Sequence, residues 1–250
     1  MIAKQFYISE SVIFFKSAYE EFGLKCVNID GYNENEPCVF IGMYRHEDIK
    51  RFENHKGASI IVWMGCDAEN ETYVKYIFSK NPTKKIVISH VMKTLFNSYG
   101  LETELVHLPN TDINFWKPTI LKNCVYSYAP NNHYGRDVII ELSKHIDYEL
   151  ILTDSCKHYT RDELDKLYDR CFVGIRLRNM DGSAASVVEM SLKGRRTISN
   201  IGSLPCIGWD SIEDVIEKIK SESIKIGTYQ NNFAEKAFEF YNIGDSWLKV

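Results

Sequence analysis

Residues 171–199, CFVGIRLRNMDGSAASVVEMSLKGRRTIS, decide how the chain is read. An apolar, β-branched run ends near Leu177, a loop turns at Asp181-Gly182, and a helix is expected from about Ser183. A Gly194 stop then leads into a second short β-branched run. Two strands joined by a crossover helix are the repeating unit of a parallel sheet.

The same alternation runs along almost the whole chain. KQFYI, KCVNI, PCVFIG, ASIIVWMG, KKIVIS and TELVHL read as strands, with helical stretches such as ESVIFFKSAYEEFG and HEDIKRFENHKG between them. After the stretch DINFWKP, where Pro118 argues for a linker, the pattern restarts with NCVYSYA, YELILTD, CFVGIRL and RRTIS. The expected class is therefore α/β, with two Rossmann-like domains, parallel sheets and a cleft between them. We place the first domain over residues 1–115 and the second over 116–235. A closing helix over 236–250 is expected to pack back on the first domain.

At 250 residues the chain can hold one large domain or two modest ones, and 44% hydrophobic with 26% charged residues is an ordinary globular composition. A net charge of −4 lacks the basic excess of a nucleic-acid binder, so DNA is not an expected partner. The seven cysteines are scattered without a C-x-x-C pair, which argues against both a zinc site and a disulfide framework. Together with the lack of a signal-like start and of any apolar run of about 18 residues, this suggests a cytoplasmic chain without a membrane span.

In open parallel sheets, ligands sit beyond the carboxyl ends of the strands, which directs attention to Asp67, Ser89-His90, Ala129 to Gly135, Asp154 and Arg176 to Gly182. A helix opening after Asp181 would present unpaired N–H groups and a positive dipole end, an anion site suited to phosphate. Gly182, Ser183 and Ala184 are small enough for a diphosphate to approach the backbone, and Arg176 and Arg178 lie on the same loop. Glu189 falls off the sheet-packing face of the helix, so it either faces the cleft, where a carboxylate can grip a ribose diol, or is solvated. Asp67 either contacts ligand hydroxyls or caps the following helix. His90 and His133 sit in strand-end loops, one of Tyr126, Tyr128 and Tyr134 could stack on a base, and Lys193 to Arg196 read as a solvated helix end.

DGSAASVVEMSLKGRRTIS resembles the acid-x7-Glu signature of the retaining GT-B-fold glycosyltransferases, the family 4-like group. Asp181 stands for the first glutamate, Gly182 matches, and Glu189 is the second. VHLPNTDINFWKP, VWMGCDA, RDELDKLYDRC and the closing DSIEDVIEKIKS and NNFAEKAFEFYNI are similar to further parts of that family. The resemblance implies a GT-B-like fold and a retaining glycosyltransferase. It would move a sugar from a nucleotide-diphosphate sugar to a hydroxyl acceptor (glycan, lipid or protein), with no metal or other cofactor. On this reading Asp181, Glu189 and Asp67 are the catalytic-site candidates. Gly182, Ser183, Ala184, Glu189, Arg176, Arg178 and Arg136 would hold the donor.

The chain departs from the family in the loop after the second domain's first strand. Ala129 and His133-Tyr134 stand where the family carries an Arg and a Lys, and Arg136, Arg176 and Arg178 are the candidates to supply that charge. The glycine-rich loop near the start is replaced by YISES. The first domain is short for the family, so its acceptor side is trimmed or completed by a partner protein or a second copy. The alternative reading is a degenerate, non-catalytic protein of this fold that binds a nucleotide, glycan or partner.

Overall fold

The computed structural model describes residues 1–250 apart from 29–30, 155, 158, 179–180 and 203–204. The chain divides into two units: Met1–Asp112 with Met180–Ser183 and Ile243–Val250, and Ile113–Asn179 with Ala184–Asn242. Each is a parallel sheet flanked by helices.

In the first unit the strands are β1 (Gln5–Ile8), β2 (Lys25–Cys26), β3 (Cys38–Ile41), β4 (Ser59–Trp63), β5 (Lys84–Val87) and β6 (Glu104–Leu105), in the order β2-β1-β3-β4-β5-β6. The helices α1 (Lys16–Glu20), α2 (His46–Glu53), α3 (Glu71–Ser79) and α4 (His90–Ser98) connect them. Every residue of β1, β3 and β4 is buried, as expected of strands covered on both faces. The stretch read as one helix after β1 is instead a 3-10 segment, Glu10–Phe15, followed by the short α1. Val12 leaves helical geometry there (φ −131°, ψ 20°) and buries its side chain, and β-branched neighbours give the helix little to recover.

In the second unit β7 (Cys124–Tyr128), β8 (Glu149–Thr153), β9 (Cys171–Ile175), β10 (Arg196–Ile198) and β11 (Cys206–Ile207) lie in the order β11-β10-β9-β7-β8. The helices are α5 (Arg136–Ser143), α6 (Arg161–Tyr168), α7 (Ala185–Leu192), α8 (Ile212–Ser223) and α9 (Asn231–Tyr241). Side chains alternate between two apolar clusters along β7: Val125 and Ala129 join one, Cys124 and Tyr126 the other. Both sheets share one topology, in which the first strand lies between the second and the third. The direction in which successive strands are added therefore reverses beside that first strand, at β1/β3 in one unit and β7/β9 in the other. Such switch points are where doubly wound sheets hold ligands.

The end of the chain differs from a single helix over 236–250. Helix α9 packs on α7 in the second unit and stops at Asn242, and Gly244 takes a left-handed conformation (φ +62°) that breaks it. The tail belongs to the first unit, where Trp247 is buried against Phe22 and the Trp247 carbonyl accepts from Lys84 Nζ at 3.3 Å.

The Lys193 to Arg196 turn is not solvated as a whole. Lys193 and Arg195 are 1% and 0% exposed, while Arg196 alone lies largely outside. Lys193 Nζ pairs with Asp165 and, at 2.8 Å, with Asp169. Arg195 donates to the Cys171 carbonyl at 3.2 Å and to Thr119 Oγ1 at 2.7 Å, which ties the linker to β9. Two buried cations are tolerable only with such partners, because stripping their hydration costs several kcal/mol each. Burial pushes Arg195 down, to about 10, so it stays charged at neutral pH.

Candidate functional site

The second unit's switch point gathers the arginines. β7 runs into Ala129, whose N–H still bonds Thr153 at 3.0 Å, and the loop turns through Asn131, whose side chain accepts from the His133 N–H. Gly135 is left-handed (φ +74°), and a Cβ there would lie 3.0 Å from the Leu177 carbonyl, so this loop packs tightly on the exit of β9. Arg136, the first residue of α5, donates to the Ala129 carbonyl at 2.7 Å and reaches Asp154 beyond β8 at 3.4 Å. Beyond β9, the Arg176 and Arg178 guanidinium groups lie 5.1 and 4.7 Å from the ring centre of Tyr134. Arg178 Nη2 is 2.6 Å from His133 Nε2. Arginine only donates, so His133 accepts at Nε2 and carries its proton on Nδ1.

Arg176 and Arg178 are 8% and 6% exposed. Cation–π contact with Tyr134 contributes about 0.5–2 kcal/mol for each. The chemical consequence is a cluster of fixed positive charge at the carboxyl ends of adjacent strands. Arg178 stands against His133, at the position where the family resemblance expects a lysine.

Helix α7 begins one to two residues later than the sequence suggests. Ala184 is its N-cap (φ −64°, ψ 122°), and no side chain caps the helix. Its first N–H groups are thus those of Ala185 and its successors, not of Gly182 and Ser183. Those two residues, with Asp181, belong to the first unit. The Gly182 N–H donates to Asp181 Oδ1 at 3.0 Å, Ser89 Oγ donates to the Asp181 carbonyl at 2.8 Å, and Asn110 Nδ2 donates to the Ser183 carbonyl at 2.9 Å. A Cβ on Gly182 would sit 2.1 Å from the Met64 carbonyl oxygen, so glycine is required there by a backbone neighbour. Asn179 and Met180 of the same loop lie outside the described residues.

Glu189 is not a solvated helix residue. It is 7% exposed and accepts from the Tyr168 hydroxyl at 2.7 Å. Burial, and next the Glu189 carboxylate, hold the Tyr168 hydroxyl far above its usual pKa, so it remains a donor. Burial pushes the Tyr126 hydroxyl up, to about 12, against the pull of its hydrogen bond to Thr153.

The first unit's strand ends are built differently. Asp67 is buried and accepts from the N–H groups of Met43 (3.1 Å), Met64 (3.1 Å) and Gly65 (2.8 Å), which fastens the exits of β3 and β4 together. Burial pushes its carboxyl up, to about 6, against the pull of those N–H groups. Asp48 likewise accepts from Tyr44 N–H, Arg45 N–H and the Tyr7 hydroxyl. An open depression of about 320 Å3 lies over these exits, lined by Tyr44, Arg45, His46, Cys66, Asp67 and Tyr73 among others. His90 opens α4, with its ring 5.2 Å from that of His107.

The structure thus brings Arg136, Arg176, Arg178, Ala184 and Glu189 into the second unit, and Asp67, Asp181, Gly182 and Ser183 into the first. Sequence reasoning missed Tyr168, the partner of Glu189: on α6 it reads as an apolar-face residue, and nothing local signals where its hydroxyl goes. Tyr134 was legible only as an aromatic in the right loop. Among the described residues, no group of three or more His, Cys, Asp or Glu side chains is placed to hold a metal ion. No described helix is long and apolar enough to cross a membrane.

No family profile and no curated protein sequence matches the chain. Solved structures do resemble it. HepE of Anabaena, in complex with UDP and glucose, matches with a TM-score of 0.66 at 9% identity, over 96% of this chain and 95% of that one. Sucrose-phosphate synthase from Thermosynechococcus elongatus matches with a TM-score of 0.63 at 10% identity, over 96% and 77%. TarM matches with a TM-score of 0.60 at 14% identity, over 86% of this chain and 53% of that one, so the chain spans about half of TarM's length. At these identities the likeness is one of fold: α/β, GT-B-like, with two Rossmann-like units.

Proposed function

We propose that the protein is a glycosyltransferase that takes a sugar from a nucleoside-diphosphate sugar and passes it to a hydroxyl acceptor with retention of configuration. The observation that carries this reading is the pair of buried arginines, Arg176 and Arg178, held over Tyr134 at the switch point of the second sheet, with Arg136 at the neighbouring exit of β7. Fixed guanidinium groups there would bind the donor diphosphate and stabilise the charge that develops as it leaves. The N-terminus of α7, with no side-chain cap at Ala184, adds N–H donors of the same sense.

Charge supplied by arginine fits a reaction that needs no metal. In this scheme Glu189 holds the ribose hydroxyls. Asp67 shapes the acceptor side by fixing the loops around the first unit's depression. UDP is the first donor base to test, since the HepE structure is described as a complex with UDP and glucose. None of the seven cysteines forms a disulfide, which suits a reducing, cytoplasm-like compartment.

A second reading is a non-catalytic protein of the same fold that binds nucleotide, glycan or a partner protein. It is favoured by the burial of Asp67 and its engagement with three backbone N–H groups, which gives that carboxylate a structural task.

Titration with UDP, GDP, ADP, CDP and dTDP without metal, followed by assay of the corresponding nucleotide sugars for hydrolysis and transfer, separates these readings. Selective saturable binding that Glu189→Gln weakens, with turnover of the matching sugar nucleotide, supports the enzyme. Binding without turnover supports the second reading, and no binding by folded protein rejects the nucleotide site.

A further inference from the structure

We propose that the depression in the first unit binds an uncharged saccharide carrying an N-acetyl group, and that such a saccharide is the acceptor. The inference rests on the reading of this unit as the acceptor side and deepens it by naming the chemical class.

The depression forms where two strand exits meet two helix starts. β3 leads through Met43 and Arg45 into α2, and β4 leads through Asp67 to Asn70, the N-cap of α3. Its volume of about 320 Å3 is at the small end of the range for ligand pockets.

The acceptors around it are spent. Asp67 takes the N–H groups of Met43, Met64 and Gly65, and Asp48 takes those of Tyr44 and Arg45 and the Tyr7 hydroxyl. The donors are not. Arg45 is exposed and forms no ion pair with a described residue. Asn70 uses its Oδ1 on the Tyr73 N–H at 3.1 Å, which leaves its Nδ2 hydrogens for a ligand. The Tyr73 hydroxyl bonds no described residue, and burial, followed by the charges of Asp48 and Asp67, pushes its pKa up, so it stays protonated and can donate. A ligand that fits this lining accepts hydrogen bonds.

Charge and apolar surface narrow the class. Asp48 and Asp67 are 0% and 6% exposed, and their buried charges repel a negative ligand group. Arg45 and His46 are exposed at the rim, where water and salt screen their attraction. The apolar part of the lining is Met43 and Ile49. An amide carbonyl accepts hydrogen bonds without carrying charge, and a methyl group beside it covers apolar side chains. An N-acetyl substituent joins the two, and its sugar ring brings the hydroxyl that the transfer needs.

The test is a methyl NMR titration without donor, following Met43 and Ile49 as N-acetylglucosamine, glucose, glucosamine or glucuronate is added. We expect saturable shifts at both methyl positions. N-acetylglucosamine should bind about tenfold tighter than glucose, the order of one hydrogen bond to a charged group, and glucuronate no tighter than glucose. Arg45→Ala should bring N-acetylglucosamine within about twofold of glucose, and Asn70→Ser, which keeps a cap on α3, should weaken it about threefold. Methyl signals elsewhere should not move, which shows that the variants are folded. Tighter binding of glucuronate or glucosamine, equal binding of all these sugars, or no shift at Met43 and Ile49 overturns the proposal. UDP titrated into the same samples separates the two readings: UDP binding without sugar binding overturns only the acceptor class, and sugar binding without UDP binding overturns the donor site and, with it, the role of the sugar as acceptor.

Discussion

The two sheets share one strand order and carry opposite chemistry at the same topological place. At the first unit's switch point, the amides that leave β1 and β3 are already occupied: Ile8 N–H by Asn28 Oδ1 at 2.9 Å, Met43 by Asp67, and Tyr44 and Arg45 by Asp48. Two buried aspartates stand where a bound anion would otherwise accept from the backbone. At the second unit's switch point, Arg176 and Arg178 stack on Tyr134, Arg178 is set against His133, and Arg136 holds the Ala129 carbonyl beyond β7. Equal topology therefore does not mean equal ligands. A sheet that supplies its own carboxylates has closed its anion site, and one that supplies guanidinium groups has built one.

The sharpest way to break this contrast is to remove an acid from the first unit. Asp67→Ala leaves three buried N–H groups without their acceptor, at roughly 1–3 kcal/mol each before water relieves some of the loss. We expect a stability loss of about 3–5 kcal/mol by urea unfolding and an unchanged UDP affinity, measured below the transition. A loss under about 1 kcal/mol would mean that the carboxylate is dispensable to the fold.

Arg178→Ala should do the reverse. We expect UDP affinity to fall about a hundredfold, or about 2.7 kcal/mol, with a smaller effect on unfolding than Asp67→Ala. Gly182→Ala sharpens the boundary between the two roles. Its added Cβ meets a backbone carbonyl that cannot move aside as a side chain would, so a destabilisation of about 2 kcal/mol is expected in thermal melts. A protein that tolerated alanine there would place the loop farther from Met64.

A further effect concerns pH. Burial, and next the charge of His90, hold His107 down, at about 4. A histidine depressed in the folded state contributes stability that is present above its unfolded pKa, near 6.5, and lost as the pH falls toward 4. The stability gap between the unmodified chain and His107→Asn should therefore narrow between pH 6.5 and 4. A gap that stayed constant in unfolding measurements at pH 7, 6, 5 and 4 would contradict the assignment.

The alternation of strand and helix was legible because buried parallel strands and amphipathic helices leave different periods in the sequence. Arg176 and Arg178 were legible by the strand-end rule, which needs only topology, whereas Arg136 was named only through the family resemblance. Burial at the far end of α7 was not. Whether Lys193 is solvated depends on Asp165 in α6 and Asp169 just past its end, and whether Arg195 is solvated depends on the Cys171 carbonyl and Thr119, with the left-handed turn at Gly194 between them. Glu189 posed the same problem. A helical wheel assigns one face to the sheet, but α9 covers α7 from another side, so a residue off the sheet-packing face is buried as well. The cap of α7 slipped to Ala184 because the small residues Ser183 and Ala184 give no local signal of where the helix starts. The Ser183 carbonyl is held instead by Asn110, 73 positions earlier in the chain.

The central claim is that the anion-binding face of this fold lies at the second sheet's switch point and not at the first's. The most direct measurement is a calorimetric titration of UDP into the unmodified protein, Arg178→Ala and Arg45→Ala, the last removing a cation from the first unit's depression. The account predicts saturable binding that Arg178→Ala abolishes or weakens about a hundredfold and Arg45→Ala leaves within about twofold. Binding that survives Arg178→Ala and is lost in Arg45→Ala would contradict it, and would move the nucleotide to the other sheet.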